Sequence, residues 1–397
     1  MPDQEGALTG VRIVDLTDER GIYGAKLLAD LGADVVRPEP PEGDPLRSRG
    51  PHLASAPADQ QSLWHAFFAS NRRFFSVDLT IESGVNQLLA LIDRAEIVLT
   101  CKGAFGVDEA QLEQALARRS DLVVIDVSSF GNDGPWRDFV STDLIAAALG
   151  GVAATTGDAD TPPLKLSGEL NYMVSGAYTA IAALAALHHA RSMGQGQKVE
   201  VPVQQCIASC LEHVLMFYGY HDQFVSADGP VLPRRGSRHW SNAYKVMQAR
   251  NGSIMVTPTP DLEAQLFWLV EEDAHEDLID PMYLEPENLP LLIKRMMEVL
   301  TSRVEQQDAE ELFFTAQDRH SPYGWVLPIE KVADNPQLEA RHWWQDYVIA
   351  DQKIKGPGAP YQFSETPWQL NEYAGTGAAT EDILEELGWV NKQGDAS

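Results

Sequence analysis

Cysteine is scarce in this chain: Cys101, Cys206 and Cys210 are the only three in 397 residues. Three irregularly spaced thiols make no disulfide framework, and no Cys/His cluster has zinc-ligand spacing, so neither staples nor a metal are expected. Positive charge is also short, with 30 Lys and Arg against 58 Asp and Glu and a formal net charge of −28. Such a chain repels nucleic acid and anionic membrane surfaces, and any anionic ligand must be held by local cations. Long apolar runs are missing too. The one uncharged stretch near membrane-span length, Leu170 to Leu187, includes Asn171, Ser175, Gly176 and Thr179 and reads as a buried helix. The opening "MPDQEGALTGVRIVDL" has neither the basic start nor the apolar core of a signal peptide, so the expectation is a cytoplasmic chain that begins here.

Several signatures are absent. The sequence contains no G-x-x-x-x-G-K-[ST], no H-E-x-x-H and no G-x-S-x-G. The turn "DLTDERGIYGAKLL" has Gly21 and Gly24 but no G-x-G-x-x-G, and Gly10 stands before the strand instead of after it, which argues against NAD. The histidines are scattered, and His188 and His189 are expected on a helix surface or end.

What is present is a rhythm. "VRIVDLT" (11–17), "DVVRPE" (34–39), "FFSVDL" (74–79), "EIVLT" (96–100) and "LVVIDVSSF" (122–130) are short β-branched runs. Between most of them lie segments with apolar residues three and four apart, such as "YGAKLLADLGA", with Gly32 placed as a C-terminal stop. Alternation of this kind predicts an α/β fold with a parallel sheet covered on both faces. After Gln204 the pattern changes to mixed aromatics, Gly and Pro, then a strand "SIMVTPT" and helical stretches that include "LPLLIKRMMEVLTSR". We therefore expect a large Rossmann-like domain over 1–205, completed by 325–397, and a smaller α/β domain over 220–324. The tail reads as an extended strap, "GPGAPYQFSETPW", and a terminal helix, "TEDILEELGW", packing back on the first domain.

An ordered set of phrases runs the length of the chain: "LTGVRIVDLT", "LLADLGADVVRPEPPEGDPLR", "NRRFFSVDLTIESG", "DLVVIDVSSFGNDGPW", "SGELNYMVSGAYTAIAALAALHHARSMGQGQKVEVPV", "VADNPQLEARHWW" and "FSETPW". Together they resemble the family III CoA-transferases, the group of formyl-CoA transferase, carnitine CoA-transferase and α-methylacyl-CoA racemase. The resemblance covers roughly residues 8 to 390 and implies an open-ring chain forming an interlocked dimer. It also implies acyl-CoA and carboxylic acid substrates, with no tightly bound cofactor. The family's chemistry uses an aspartate that attacks the thioester, forms a mixed anhydride and then carries CoA as an aspartyl thioester. That aspartate precedes by four residues the glycine opening a small-residue helix. Counting back from Gly176 reaches Tyr172. A phenol with a pKa of about 10 is a poor nucleophile at neutral pH, and Glu169 is the nearest carboxylate. The racemase branch pairs a His with an Asp in a "GHD"-like phrase; here "FVSTDLIAA" supplies Thr142 and Asp143.

The resemblance places phosphate-binding residues at Arg37, Asn71, Arg72 and Arg73, the arginines carrying the positive charge, with Arg20 in the "DERG" turn and Lys102 in "LTCKGAFG" as further candidates. Some family members are hetero-oligomers in which only one subunit carries the aspartate, and this sequence resembles the aspartate-free type, as in benzylsuccinate CoA-transferase. Two alternatives remain open: a homodimeric acyl-CoA-processing enzyme, isomerase or racemase-like, using Tyr172, Glu169 or Asp143, or a non-catalytic CoA-ester-binding protein.

Overall fold

A computed structural model describes residues 6–104, 109–157, 161–211, 214, 225–226, 229–230, 245–258 and 261–389. The chain divides into two compact units. One comprises Met1–Ala153, Lys165–Glu212 and Leu338–Ser397; the other comprises Ala154–Leu164 and His213–Gln337.

The first unit is built on a six-stranded parallel sheet: β1 (Arg12–Leu16), β2 (Asp34–Glu39), β3 (Arg72–Ser76), β4 (Ile97–Thr100), β5 (Val123–Ser128) and β6 (Lys198–Pro202). The spatial order is β3-β2-β1-β4-β5-β6, with its switch point between β1 and β4. Strand alternation sorts side chains onto two faces. Ile13, Val35, Ile97, Val123 and Ile125 share one core with α1 (Ile22–Asp30) and the long helix Leu170–Met193. Val14, Val36, Val98 and Val124 share the other with Leu88 and Leu91 from the helix Glu82–Ile92. Ile383 and Leu387 of the C-terminal helix Thr380–Leu387 join this second core, so the tail covers sheet instead of trailing from it.

Besides the C-terminal helix Thr380–Leu387, the first unit has α1, α2 (Leu63–Phe68), α3 (Glu82–Ile92), α4 (Glu109–Arg118), α5 (Asp143–Leu149), α6 (Val152–Thr155), α7 (Leu170–Met193) and α8 (Val203–Ser209), with α6 lying across the unit boundary. α7 is long and apolar enough to cross a membrane, but half of it is buried within the chain. Its small residues meet α1 closely. A Cβ added at Gly176 would lie 2.8 Å from Gly24 N, and one at Gly24 would lie 2.7 Å from Thr179 Cβ. The helix stops at Gly194, whose φ of 68° suits a left-handed cap.

In the second unit a two-residue-strand hairpin, β7 (Val225–Ser226) and β8 (Gly229–Pro230), precedes a three-stranded antiparallel sheet. That sheet comprises β9 (Lys245–Ala249), β10 (Gly252–Val256) and β11 (Gly324–Trp325). Ile254 and Val256 pack with Trp268, Leu269, Met296, Leu300 and Leu312 from three helices. Because β11 pairs with β10, residues 325–337 stay with this unit, and the return to the first falls at Leu338 instead of 325. Much of the stretch between 212 and 244 lies outside the described residues. The chain then forms the hairpin of β12 (Trp344–Ile349) and β13 (Gln352–Pro357) in the first unit.

Candidate functional site

The C-terminal ends of β1 to β4 deliver their loops to one edge of the sheet, the place where doubly wound sheets bind ligands. Asp15, near the end of β1, pins the turn after it: Thr17 donates to its Oδ1 from both N–H and Oγ1, at 3.1 and 2.6 Å. Its Oδ2 faces Arg37 Nη1 at 3.0 Å and Arg72 Nε at 3.3 Å. Arg37 continues to Asp44 Oδ2 at 2.6 Å, and His65 Nε2 lies 3.3 Å from the same oxygen. Arg47 pairs with Glu39 at 2.9 Å and donates to the Tyr373 hydroxyl at 2.8 Å. Buried charges survive only when paired, and here each is. Burial opposes the Arg37 charge, but Asp44 and Asp15 outweigh it and hold the guanidinium protonated. Burial likewise works against the Asp44 carboxylate, yet Arg37 and His65 keep it well below the usual range. Burial pushes His65 down to about 4 despite the neighbouring Asp44.

Above this network opens a cavity of about 640 Å³. Its walls are apolar, from Pro38, Pro41, Pro45, Val77, Leu79 and Ala104, and its rim is acidic. A second cavity of about 390 Å³ adjoins the ends of β4 and β5, where Lys102, Arg137, Ser128, Ser129 and Asn132 line it. Asp18 and Glu19 line both. The turn after β1 is therefore shared by the two cavities.

At the N-terminus of α7, Tyr172 is buried, with its hydroxyl unpartnered. Burial raises its pKa above the ordinary phenol value, and Glu19, Asp18 and Asp143 add to the effect against the opposing charge of Arg20. The phenol is thus further from ionisation than the sequence suggests. Glu169 is also committed: Arg49 binds its Oε1, and Trp64 Nε1 donates to its Oε2 at 3.1 Å, with the Arg49 guanidinium stacked 4.2 Å over the Trp64 ring. Asp143 is buried and accepts from the Tyr172 N–H at 3.1 Å and Asn171 Nδ2 at 2.9 Å, while Lys165 Nζ lies 3.1 Å away. It anchors the start of α7. None of these three side chains offers a free, ionised nucleophile.

The residues expected from the sequence to hold phosphates do not form one cluster: Arg20 and Lys102 meet at the second cavity, and Arg37 and Arg72 meet on Asp15. Arg37 and Arg72 are buried counter-ions of Asp15, and Arg37 is also part of the lining of the larger cavity. For Arg72 the reason is register: β3 begins at Arg72, not at Phe74, so alternation turns Arg72 inward, where its Nη2 donates to Ile22 O at 2.8 Å. Arg73 points to the other side, bound by Asp34 and by Glu386 at 2.6 Å. Asn71 donates to Asp30 Oδ1 at 2.7 Å and to Gln369 O at 3.0 Å, which ties down the tail strap. Arg20 folds back on Asp18, with Nε 2.9 Å from Oδ1, and also reaches Lys102 O at 3.3 Å. Lys102 lines the second cavity together with Arg20 and is half-exposed there, 3.5 Å from Asp138. Sequence reading missed Arg137 beside it and the Arg49–Trp64–Glu169 cluster. "GPWR" carries a signal for the first; only contacts 105 and 120 residues apart create the second.

A six-stranded parallel sheet with cavities at the carboxyl ends of its strands defines a doubly wound α/β domain. The chain belongs to CoA-transferase family III, whose description matches residues 8–378. It is 31% identical to the succinyl-CoA:(R)-benzylsuccinate CoA-transferase subunit BbsE of Thauera aromatica, across 95% of this chain and 93% of that protein. It is also 31% identical to the succinyl-CoA:mesaconate CoA-transferase of Haloarcula hispanica, across 91% of each. Among solved structures, a CAIB/BAIF family protein from Brucella suis superposes with a TM-score of 0.83 at 22% identity, covering 97% of this chain and all of that one. The Mycobacterium tuberculosis protein Rv3272 gives 0.75 at 20% identity, over 96% and 100%. These last two bear on the fold alone.

Proposed function

We propose that this chain is the nucleophile-free subunit of a heteromeric, cytoplasmic CoA-transferase that moves CoA from an acyl-CoA to a carboxylic acid. The observation that carries the reading is Tyr172, a buried, unpartnered phenol of raised pKa where the family's chemistry needs a carboxylate. Without that carboxylate no acyl anhydride or enzyme-bound CoA thioester forms on this chain. A sister chain of the same family supplies it, in the interlocked arrangement the family resemblance implies. Two further facts support a partner. The relative BbsE is itself called a subunit. Leu144, Leu170, Tyr178 and Ile181 on α5 and α7 leave large apolar side chains exposed, with Ile181 at 64%. Succinyl-CoA is the donor to try first, because the names of two relatives contain it.

The test is co-expression with a second family III chain that has Asp at the matching turn, followed by native mass and a transfer assay from succinyl-CoA to short and aromatic acids. Activity is expected in the pair and absent from this chain alone. A hydroxylamine- or borohydride-trapped adduct on this chain, above all on Glu169, would overturn the reading in favour of a self-sufficient enzyme.

A further inference from the structure

We infer that the larger switch-point cavity of this chain selects against the CoA nucleotide, and that Glu19, Glu42 and Asp78 are the residues that do so. The inference rests on the proposed division of labour, in which CoA is loaded on the sister chain. Its geometry is independent of Tyr172.

By position and size the cavity suits an adenosine-sized group: it lies at the switch point, holds about 640 Å³ and has proline-rich apolar walls. The charge around it does not suit the phosphates that CoA attaches to its adenosine. The nucleotide of CoA carries a 3′-phosphate and a diphosphate, which together hold several negative charges at neutral pH. Arg37 is the only cation lining the cavity among the described residues, and it is fully buried between Asp15 and Asp44.

Of the six carboxylates that line the cavity, three are neutralised: Asp18 by Arg20, Glu39 by Arg47, and Asp44 by Arg37. The other three are not. Glu19, Glu42 and Asp78 form no ion pair with a described residue, and Thr80 donates to Asp78 at 2.9 Å from its backbone N–H, which keeps that carboxyl ionised. They come from the loops after β1, β2 and β3, so they approach the cavity from three sides. Glu19 also lines the second cavity, so a chain of phosphates leaving the first for Lys102 and Arg137 must pass it. Like charges across such a rim repel phosphate, and because Glu42 is exposed the repulsion weakens as salt rises.

The experiment is calorimetric titration of adenosine 3′,5′-bisphosphate and of CoA into the full-length chain and into the variant Glu19→Gln/Glu42→Gln/Asp78→Asn, at about 0.15 M salt and again at a third of it. The wild-type chain is expected to bind neither ligand more tightly than about 1 mM. The neutralised variant, with an unchanged melting temperature, is expected to gain at least tenfold, more at the lower salt. The single exposed-site variant Glu42→Lys gives a second readout that does not depend on the triple variant folding; a gain of severalfold is expected. Micromolar binding by the wild type, or variants that gain nothing, would overturn the inference. Wild-type binding without transfer would do so while leaving the proposed function intact, whereas transfer by the isolated chain would overturn the proposed function instead.

Discussion

At the scale of single residues, the structure separates arginines that the sequence shows as neighbours. Arg72 is buried against Asp15, and Arg73 sits half-exposed between Asp34 and Glu386. Arg72→Ala leaves buried Asp15 short of a partner and is expected to cost about 3–5 kcal/mol in denaturant unfolding. Arg73→Ala is expected to cost about 1 kcal/mol or less. Tyr172→Phe removes a buried hydroxyl that bonds to nothing, so stability should hold or rise slightly and the assembled enzyme should keep its kcat. A hundredfold fall in kcat would assign the phenol an acid–base role instead. His65 gives a pH signature. Its folded pKa, about 4, lies below the ordinary value of 6.5 in the unfolded chain. The unfolded state therefore binds the proton first, and the contribution of His65 is complete above about pH 6.5 and lost as pH falls towards 4. Melting temperatures between pH 7 and 4 should drop accordingly, and His65→Gln should flatten that part of the profile.

Among the elements, the crossing of α1 and α7 is the tightest constraint near the site. Gly24 and Gly176 bring the two helices together, and Ser175 Oγ reaches the Arg20 carbonyl at 3.2 Å, so the crossing also holds the Asp18–Gly21 turn in place. Gly176→Val forces the helices apart at a site with no room and is expected to destabilise by roughly 1–3 kcal/mol or more, read by urea unfolding. The small-residue run 175–183 shows in the sequence, yet composition alone fits any Ala-rich buried helix. The partner helix and the 2.8 Å approach exist only once the strands have set α1 over α7.

For the whole molecule, the terminal segment belongs to the first unit as firmly as β1 does. Ile383 and Leu387 fill the core beside Val14 and Leu16, and Glu386 pairs with Arg12 and Arg73. Ending the chain before Thr380 would expose that face of the sheet, and the expected result is an aggregating product, seen by size-exclusion chromatography beside the intact protein. Five of the six parallel strands and the returning helix were legible from local patterns, since β-branched runs and 3.6-residue periodicity are short-range properties, while the family came from its resemblance to an ordered set of phrases. What those patterns could not carry is the assignment of charge. An arginine looks the same in sequence whether it faces phosphate or a buried carboxylate. Arg37 meets Asp15 from the neighbouring strand and Asp44 from the loop beyond its own strand, and these contacts arise only when the sheet closes. The order of phrases along the chain was enough to determine the doubly wound fold and the family. Tertiary structure alone decided which carboxylates are neutralised and which three at the cavity have no ion pair among the described residues, because pairing depends on distances that strand register and loop return create.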